Sequence, residues 1–155
     1  MNAITLVSPR AWLYPTVFIT GAAIMVIELL GTRIVAPFYG NSLYVWSSLI
    51  SVTMIALAIG YWVGGRWADA TKKTGVAVIV ALASLFTLLI PVVAKWVLLA
   101  TDQFGLRLGV FLSALILFLP ALTLLGMVGP FAIKLATRQL ESLGTVSYTH
   151  LTLPT

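Results

Sequence analysis

The sequence predicts an all-α membrane protein, a polytopic bundle of four transmembrane helices. Three observations lead to this fold class. Hydrophobic residues make up 61% of the 155 residues and charged residues only 8%, whereas about 25% of the residues in soluble domains are charged. The charges divide the chain into four long apolar runs, joined by short polar links. A fold in water could not bury so much apolar surface, so the lipid bilayer is the expected partner.

Each apolar run is long enough to cross a bilayer, which takes about 20 residues at 1.5 Å per residue. We expect helices over residues 11–35, 42–68, 75–96 and 106–139. The first link contains Pro37, which should end a helix, then Gly40, and then Asn41 or Ser42 as the cap of the second helix. The expected domains are an N-terminal segment, 1–10, a transmembrane domain, 11–141, and a tail, 142–155.

The basic residues predict the orientation of the bundle. Three regions should share one side of the membrane: the N-terminus, the second link and the end of the fourth helix. They contain six basic residues, Arg10, Arg66, Lys72, Lys73, Lys134 and Arg138, and the other side contains three, Arg33, Lys95 and Arg107. Because cytoplasmic loops carry the excess of lysine and arginine, both termini are expected in the cytoplasm. Basic residues spread in this way form no patch, so we expect no nucleic-acid partner.

The residue types exclude several kinds of site. The chain has no cysteine, and its one histidine, His150, lies in the tail. Disulfides, thiol nucleophiles and histidine-based catalysis are therefore not supported. The sequence also has no phosphate-binding glycine loop and no nucleophile elbow. We expect no catalytic residue, no metal site and no cofactor in this chain.

Glu28 is the most unusual residue of the first helix. On a helical wheel it shares a face with Gly21, Met25 and Thr32, and Arg33 lies about 140° away. That face suits a neighbouring helix better than lipid, so any partner of Glu28 should come from another helix. A charge at mid-membrane costs about 2.5–3.5 kcal/mol, which the apolar residues of one helix can offset. Three roles stay open: a side chain at headgroup level, a buried packing contact, or a proton or substrate site.

The second helix carries a clearer signal for packing. Ala56, Gly60 and Gly64 recur at every fourth residue, a spacing that lets another helix backbone come close. Directly afterwards, Arg66 and Asp69 lie three residues apart near the helix end. A solvated helix end on the cytoplasmic face is the simpler interpretation of this pair.

Two stretches give the chain a family resemblance. Residues 21–69 resemble the N-terminal membrane region of bacterial spermidine synthase-like proteins, which fuse a major-facilitator-like segment to a polyamine aminopropyltransferase. The matching features are the pair Glu28 and Arg33, Gly40 with Ser42, and a series that closes on Asp69, namely Gly60, Gly64 and Gly65. Residues 119–144, "LPALTLLGMVGPFAIKLATRQLESLG", match through Pro120, Gly126 and Pro130, and we count Gly126 and Pro130 among the candidate packing residues.

The resemblance implies a bacterial inner-membrane domain that anchors, feeds or regulates a cytoplasmic transferase domain. That domain would follow residue 144 and is not in this chain, so none of its catalytic residues can be assigned here, and whether the chain serves an enzyme stays open. The last residues, "TVSYTHLTLPT", resemble a translated sequencing adapter, so we expect a tail that is non-native or disordered. Homo-oligomerisation is also left open.

An alternative from another functional class is a small proton-coupled multidrug-type transporter. Such transporters have four helices and a membrane glutamate in the first, which would be Glu28. Against this alternative, Glu28 lies toward the far end of the predicted first helix, and the second and fourth helices are long for so small a transporter.

Overall fold

The computed structural model describes residues 12–70 and 75–151, which form a bundle of four helices. Helix α1 is Leu13–Tyr39, α2 is Leu43–Ala70, α3 is Gly75–Asp102 and α4 is Gly105–Leu151. All four are long and apolar enough to cross a membrane. The predicted fold class is therefore confirmed. The N-terminal segment 1–10 lies outside the described residues.

Helix α1 continues beyond its predicted end at residue 35 and stops at Tyr39. We expected Pro37 to end the helix, but Pro37 lies within its last turn. Within a helix a proline removes one hydrogen bond and its ring presses on the carbonyl four residues earlier, but packed membrane helices tolerate this disturbance without ending. The helix ends instead at Gly40, whose φ is 75° and whose N–H donates to the carbonyl of Ala36 at 2.8 Å. Positive φ favours glycine at this position.

The start of α2 uses a backbone carbonyl rather than a side-chain cap. The carbonyl of Ser42 accepts the N–H of Val45 at 3.1 Å and that of Trp46 at 3.4 Å. The Oγ of Ser42 is buried and has no hydrogen-bond partner among the described residues. Ser42 therefore stands where the sequence placed the cap, but its hydroxyl does not cap the helix.

Helix α3 continues beyond the predicted end at residue 96, to Asp102. The prediction took Lys95 and Trp96 as the membrane boundary. Both side chains are exposed in the structure, and the apolar sequence resumes directly after them. A long basic side chain can reach toward water without ending its helix. The turn comes later, at Gly105, whose φ is 76°.

Helix α4 is the longest element, and it continues from the predicted end at residue 139 to Leu151. Its apolar part covers Gly105–Thr137. Residues 142–151 continue the helix in the structure. The expectation that the tail 142–155 is non-native or disordered stays a prediction. Residues 152–155 lie outside the described residues.

Helix α4 is also the centre of the bundle. It packs most extensively against α2 and α3 and also contacts α1, whereas α2 and α3 hardly touch each other within the described residues. The largest fully buried side chains of α4 are Phe118, Leu122, Val110 and Val128. The outer faces carry large apolar side chains, such as Phe18 at 76% exposed and Leu88 at 71% exposed. A core of this kind surrounded by apolar faces fits a lipid environment and not water.

Candidate functional site

Glycines set the contact between α2 and α4. A Cβ at Gly60 would lie 2.5 Å from the carbonyl oxygen of Thr123, and a Cβ at Gly64 would lie 2.8 Å from the Cα of Met127. A Cβ at Gly126 would lie 3.6 Å from the Cα of Gly60. All three glycines lie where the two backbones approach each other. A Cβ at Gly60 or Gly64 would not fit without moving one helix, whereas the tightest contact of a Cβ at Gly126, 3.2 Å, is to the side chain of Leu57.

The other two candidate packing residues lie beside this contact. Nothing lies within 4 Å of a Cβ at Gly65. Pro130 is half-buried in α4, one turn beyond Gly126. Gly65 and Pro130 both line a cleft of about 510 Å³, together with Asp69 and Lys134. The three glycines of α2 therefore differ in their surroundings, because Gly60 and Gly64 contact α4 whereas Gly65 faces open space.

We call the end of the bundle where α2 ends and α3 begins the Asp69 end. There Asp69 of α2 forms an ion pair with Lys134 of α4. Arg66 does not join this pair but places its guanidinium carbon 5.1 Å from the ring centre of Trp62. Arg66 and Asp69 are both exposed and make separate contacts, and their interpretation as a solvated helix end on the cytoplasmic face stays a prediction. Both partners of the ion pair are partly exposed, with side-chain exposures of 68% for Asp69 and 31% for Lys134, so the pair contributes only about 0–1 kcal/mol.

Glu28 lies close to the middle of α1. It is the 16th of 27 residues, so it lies about 16 Å along the helix from Tyr39 and about 22 Å from Leu13. A bilayer centred on α1 has an apolar layer about 30 Å thick, which places the Cα of Glu28 well inside it. The extension of α1 to Tyr39 therefore removes one objection to the transporter alternative, namely that Glu28 lies near the helix end.

Glu28 itself is half-buried. Among the described residues it takes part in no ion pair and accepts no hydrogen bond. The stripe that we expected to face a neighbouring helix does so only in part. Thr32 is buried, but Met25 is 64% exposed and nothing lies within 4 Å of a Cβ at Gly21. No described side chain of α2, α3 or α4 pairs with Glu28.

We call the opposite end of the bundle, where α1 and α3 end, the Tyr39 end. There the last turns of α1 and the start of α2 enclose a cleft of about 630 Å³. It is lined by Thr32, Arg33, Ala36, Pro37, Asn41 and Trp46. Arg33 is exposed and forms no ion pair within the part of the chain that the structure describes. Arg33 is therefore placed in a polar cleft rather than beside Glu28.

The Tyr39 end also contains two contacts that the sequence did not predict. The Oη of buried Tyr39 lies 3.0 Å from the Oγ1 of Thr101, so α1 is hydrogen-bonded to α3. Arg107 at the start of α4 donates from Nη2 to the Oη of Tyr44 at 3.0 Å, with its guanidinium carbon 4.8 Å from that ring centre. The one feature of the sequence that could have indicated the first contact is Tyr39, which directly precedes Gly40 at the helix end.

Gly109 fits closely against the first of these contacts. A Cβ on Gly109 would lie 2.7 Å from the Oη of Tyr39 and 2.7 Å from the carbonyl oxygen of Thr101. Gly109 therefore holds α4 against the hydrogen bond between α1 and α3.

The buried polar side chains all belong to one chemical type. Within the described residues these are Thr20, Thr32, Thr53, Thr101 and Ser113. Each hydroxyl donates to a backbone carbonyl three or four residues earlier in its own helix. No group of three histidine, cysteine, aspartate or glutamate side chains that could hold a metal occurs in the part of the chain that was described. Within the described residues, no hydrogen bond joins one of these five hydroxyls to another, so they form no continuous polar path across the bundle.

No family model, curated protein or solved structure matches this chain. Its functional assignment therefore depends on the residues and geometry described above.

Proposed function

We propose that this chain is the membrane-anchoring domain of a spermidine synthase-like protein, which holds a polyamine aminopropyltransferase-like domain at the cytoplasmic face of a bacterial inner membrane. Support comes first from the interior of the bundle. Five of its buried side chains donate a hydroxyl to a carbonyl of their own helix, and apolar side chains form the core between the helices. Only two buried side-chain oxygens among the described residues, those of Ser42 and Thr123, have no hydrogen-bond partner. An interior of this kind suits an anchor, because conduction of a polar solute needs a polar path or a water-filled cavity.

The number of helices supplies the second support. Four spans return the chain to the side on which it starts, so the start of α1 and the end of the apolar part of α4 share the Asp69 end. Arg66 and Lys134 lie at this end, and basic residues of this kind favour the cytoplasm. A domain that follows α4 would then face cytoplasmic substrates.

A topology experiment tests the anchoring role directly. Green fluorescent protein fused after Gly144 should be fluorescent and remain in the membrane fraction, because it would fold in the cytoplasm. The matched control is a fusion after Phe104, before α4, which should be dark because an odd number of spans exports the reporter. A dark Gly144 fusion with a bright Phe104 fusion would refute the orientation.

The spermidine synthase-like assignment needs its own test. Sequencing the gene in its source genome beyond codon 144 should reveal an in-frame aminopropyltransferase-like domain. Membranes that contain the full-length protein should then transfer an aminopropyl group to putrescine from decarboxylated S-adenosylmethionine. A gene that ends near codon 144, with no such frame, would remove the assignment and leave the anchor without a partner.

One observation favours a second candidate, a proton-coupled multidrug-type transporter. Glu28 lies at mid-membrane without a partner among the described residues, and membrane carboxyls in such positions mark ion pathways in many transporters. In proteoliposomes with a pH gradient, the wild-type chain would then move ethidium, and Glu28→Gln would abolish this movement. Equal ethidium leakage in both proteins and in empty liposomes would exclude transport of this probe.

A further inference from the structure

The Arg33 cleft at the Tyr39 end combines three hydrogen-bond donors without a carboxylate. The donors are the guanidinium of Arg33, the amide of Asn41 and the indole N–H of Trp46. None of the three side chains has a hydrogen-bond partner among the described residues. The hydroxyl of Thr32 is already used, because it donates to the carbonyl of Leu29 at 2.7 Å. The cleft therefore offers a positive charge and free donors to an acceptor that lies outside the described chain.

We propose that this cleft binds the phosphate of an anionic glycerophospholipid. A guanidinium presents its N–H groups as a planar fork that matches the oxygens of a phosphate. The amide of Asn41 and the indole of Trp46 add neutral donors on the side of α2. The volume of about 630 Å³ is large enough for a phosphate together with part of a glycerol headgroup.

The depth of the cleft favours a lipid over a free ion. Arg33 lies six residues before the end of α1, about 9 Å along the helix axis from Tyr39. Trp46 lies in the first turn of α2 and is 42% exposed, as expected of an aromatic residue at a membrane–water interface. The cleft thus lies near headgroup level, the depth at which a membrane lipid places its phosphate.

The surface of α1 between the cleft and the membrane centre provides room for acyl chains. Leu30 and Leu29 precede Arg33 by three and four residues, so they share its face of α1. They are 51% and 60% exposed, and Val26, a further turn toward the membrane centre, is 52% exposed. A lipid whose phosphate binds Arg33 can therefore lay an acyl chain along this apolar strip.

The chain provides its own control residue. Arg107 lies at the same end of the bundle, but its guanidinium already donates to Tyr44 and stacks on that ring. General attraction between a basic surface and anionic lipid would involve both arginines. Lipid binding at a specific site requires Arg33 and does not depend on Arg107.

The test is native mass spectrometry of the full chain in neutral detergent, with phosphatidylglycerol, phosphatidylcholine or inorganic phosphate added. Wild-type protein and Arg107→Gln should bind one phosphatidylglycerol with equal affinity, and more tightly than phosphatidylcholine. Arg33→Gln should bind it about tenfold more weakly, since the charge-assisted hydrogen bonds are lost. Arg33→Lys should fall between, because lysine keeps the charge but not the fork.

Three results would overturn the proposal. One is unchanged phosphatidylglycerol binding in Arg33→Gln, and another is an equal loss in Arg107→Gln, which would show attraction by the general surface. The third is Arg33-dependent binding of inorganic phosphate with no binding of phosphatidylglycerol, which would identify the ligand as a soluble anion and not a lipid. Because Arg33 is exposed, thermal unfolding of Arg33→Gln should match the wild type, which separates lost binding from lost fold. These outcomes do not depend on whether the chain anchors a transferase.

Discussion

The substitution Gly60→Ala should separate α2 from α4 and destabilise the bundle. The added Cβ would lie 2.5 Å from the carbonyl oxygen of Thr123 and 3.2 Å from the Cα of Gly126. Both neighbours are backbone atoms, so no side chain can rotate away to make room. Ordinary van der Waals contact begins near 3.4 Å, so the two backbones must move apart by about 0.9 Å at this point.

The magnitude follows from the packing that this movement would disturb. A gap of 0.5–1 Å forfeits about a quarter to a half of each dispersion contact along the interface. Overpacked core positions lose about 1–3 kcal/mol of unfolding free energy. We therefore expect Gly60→Ala to lower the unfolding free energy by about 1–3 kcal/mol relative to a matched control.

The matched control is Gly65→Ala in the same helix. Nothing lies within 4 Å of a Cβ at Gly65, so this substitution measures the conformational effect of replacing a helical glycine by alanine. That effect alone is about 0.5–1 kcal/mol in favour of alanine. Gly65→Ala should therefore be neutral or slightly more stable than the wild type.

Unfolding in mixed micelles with increasing sodium dodecyl sulfate provides the assay. The five tryptophans of the chain report the transition through their fluorescence. The midpoint should shift to lower detergent fraction for Gly60→Ala and stay in place or rise for Gly65→Ala. Equal midpoints for the two variants would refute the close approach of α2 and α4, and with it the packing that this structure describes.

Three further predictions concern other parts of the bundle. Gly109→Ala should lower stability by about 1–3 kcal/mol in the same assay, because its Cβ would lie 2.7 Å from the Oη of Tyr39; an unchanged midpoint would contradict the contact. Asp69→Asn should cost at most about 1 kcal/mol, and the difference from wild type should vanish in 1 M salt, since an exposed ion pair is weak and screened; a loss that persists at high salt would contradict this. Single cysteines at Ala3 and Ser142 should both resist a membrane-impermeant thiol reagent added to intact cells, and labelling of either would place that terminus outside.

The number and position of the helices could be predicted because apolar runs between charges have a direct physical meaning in a bilayer. The ends of α1 and α3 could not, because the prediction treated Pro37 and Lys95 as boundaries. Packed membrane helices tolerate a proline without ending, and a lysine can extend toward water from within a helix. Glycines with positive φ mark the turns instead, since Gly40 directly follows α1 and Gly105 begins α4, three residues after α3 ends at Asp102.

The candidate site was predicted unevenly for a related reason. Gly60 and Gly64 could be assigned to a helix contact because only small residues at that spacing admit a second backbone. The helical wheel of α1 could not show which side of the helix faces other helices, because apolar residues are favoured both in the protein core and against lipid. Met25 therefore lies on an exposed face, although the pattern placed it toward a neighbour. The pairing of Asp69 with Lys134 joins positions far apart in the chain, which no local pattern reports.

The central position of α4 has a consequence for biosynthesis. A ribosome releases α1, α2 and α3 into the membrane before α4, yet α2 and α3 make little contact with each other in the described structure. Only α1 contacts both of the other early helices more than slightly, so the three should remain loosely associated until α4 is inserted and completes the bundle. During this interval they would be accessible to membrane proteases and to insertion chaperones. A messenger RNA truncated before the codons of α4 would therefore yield a product that membrane proteases degrade.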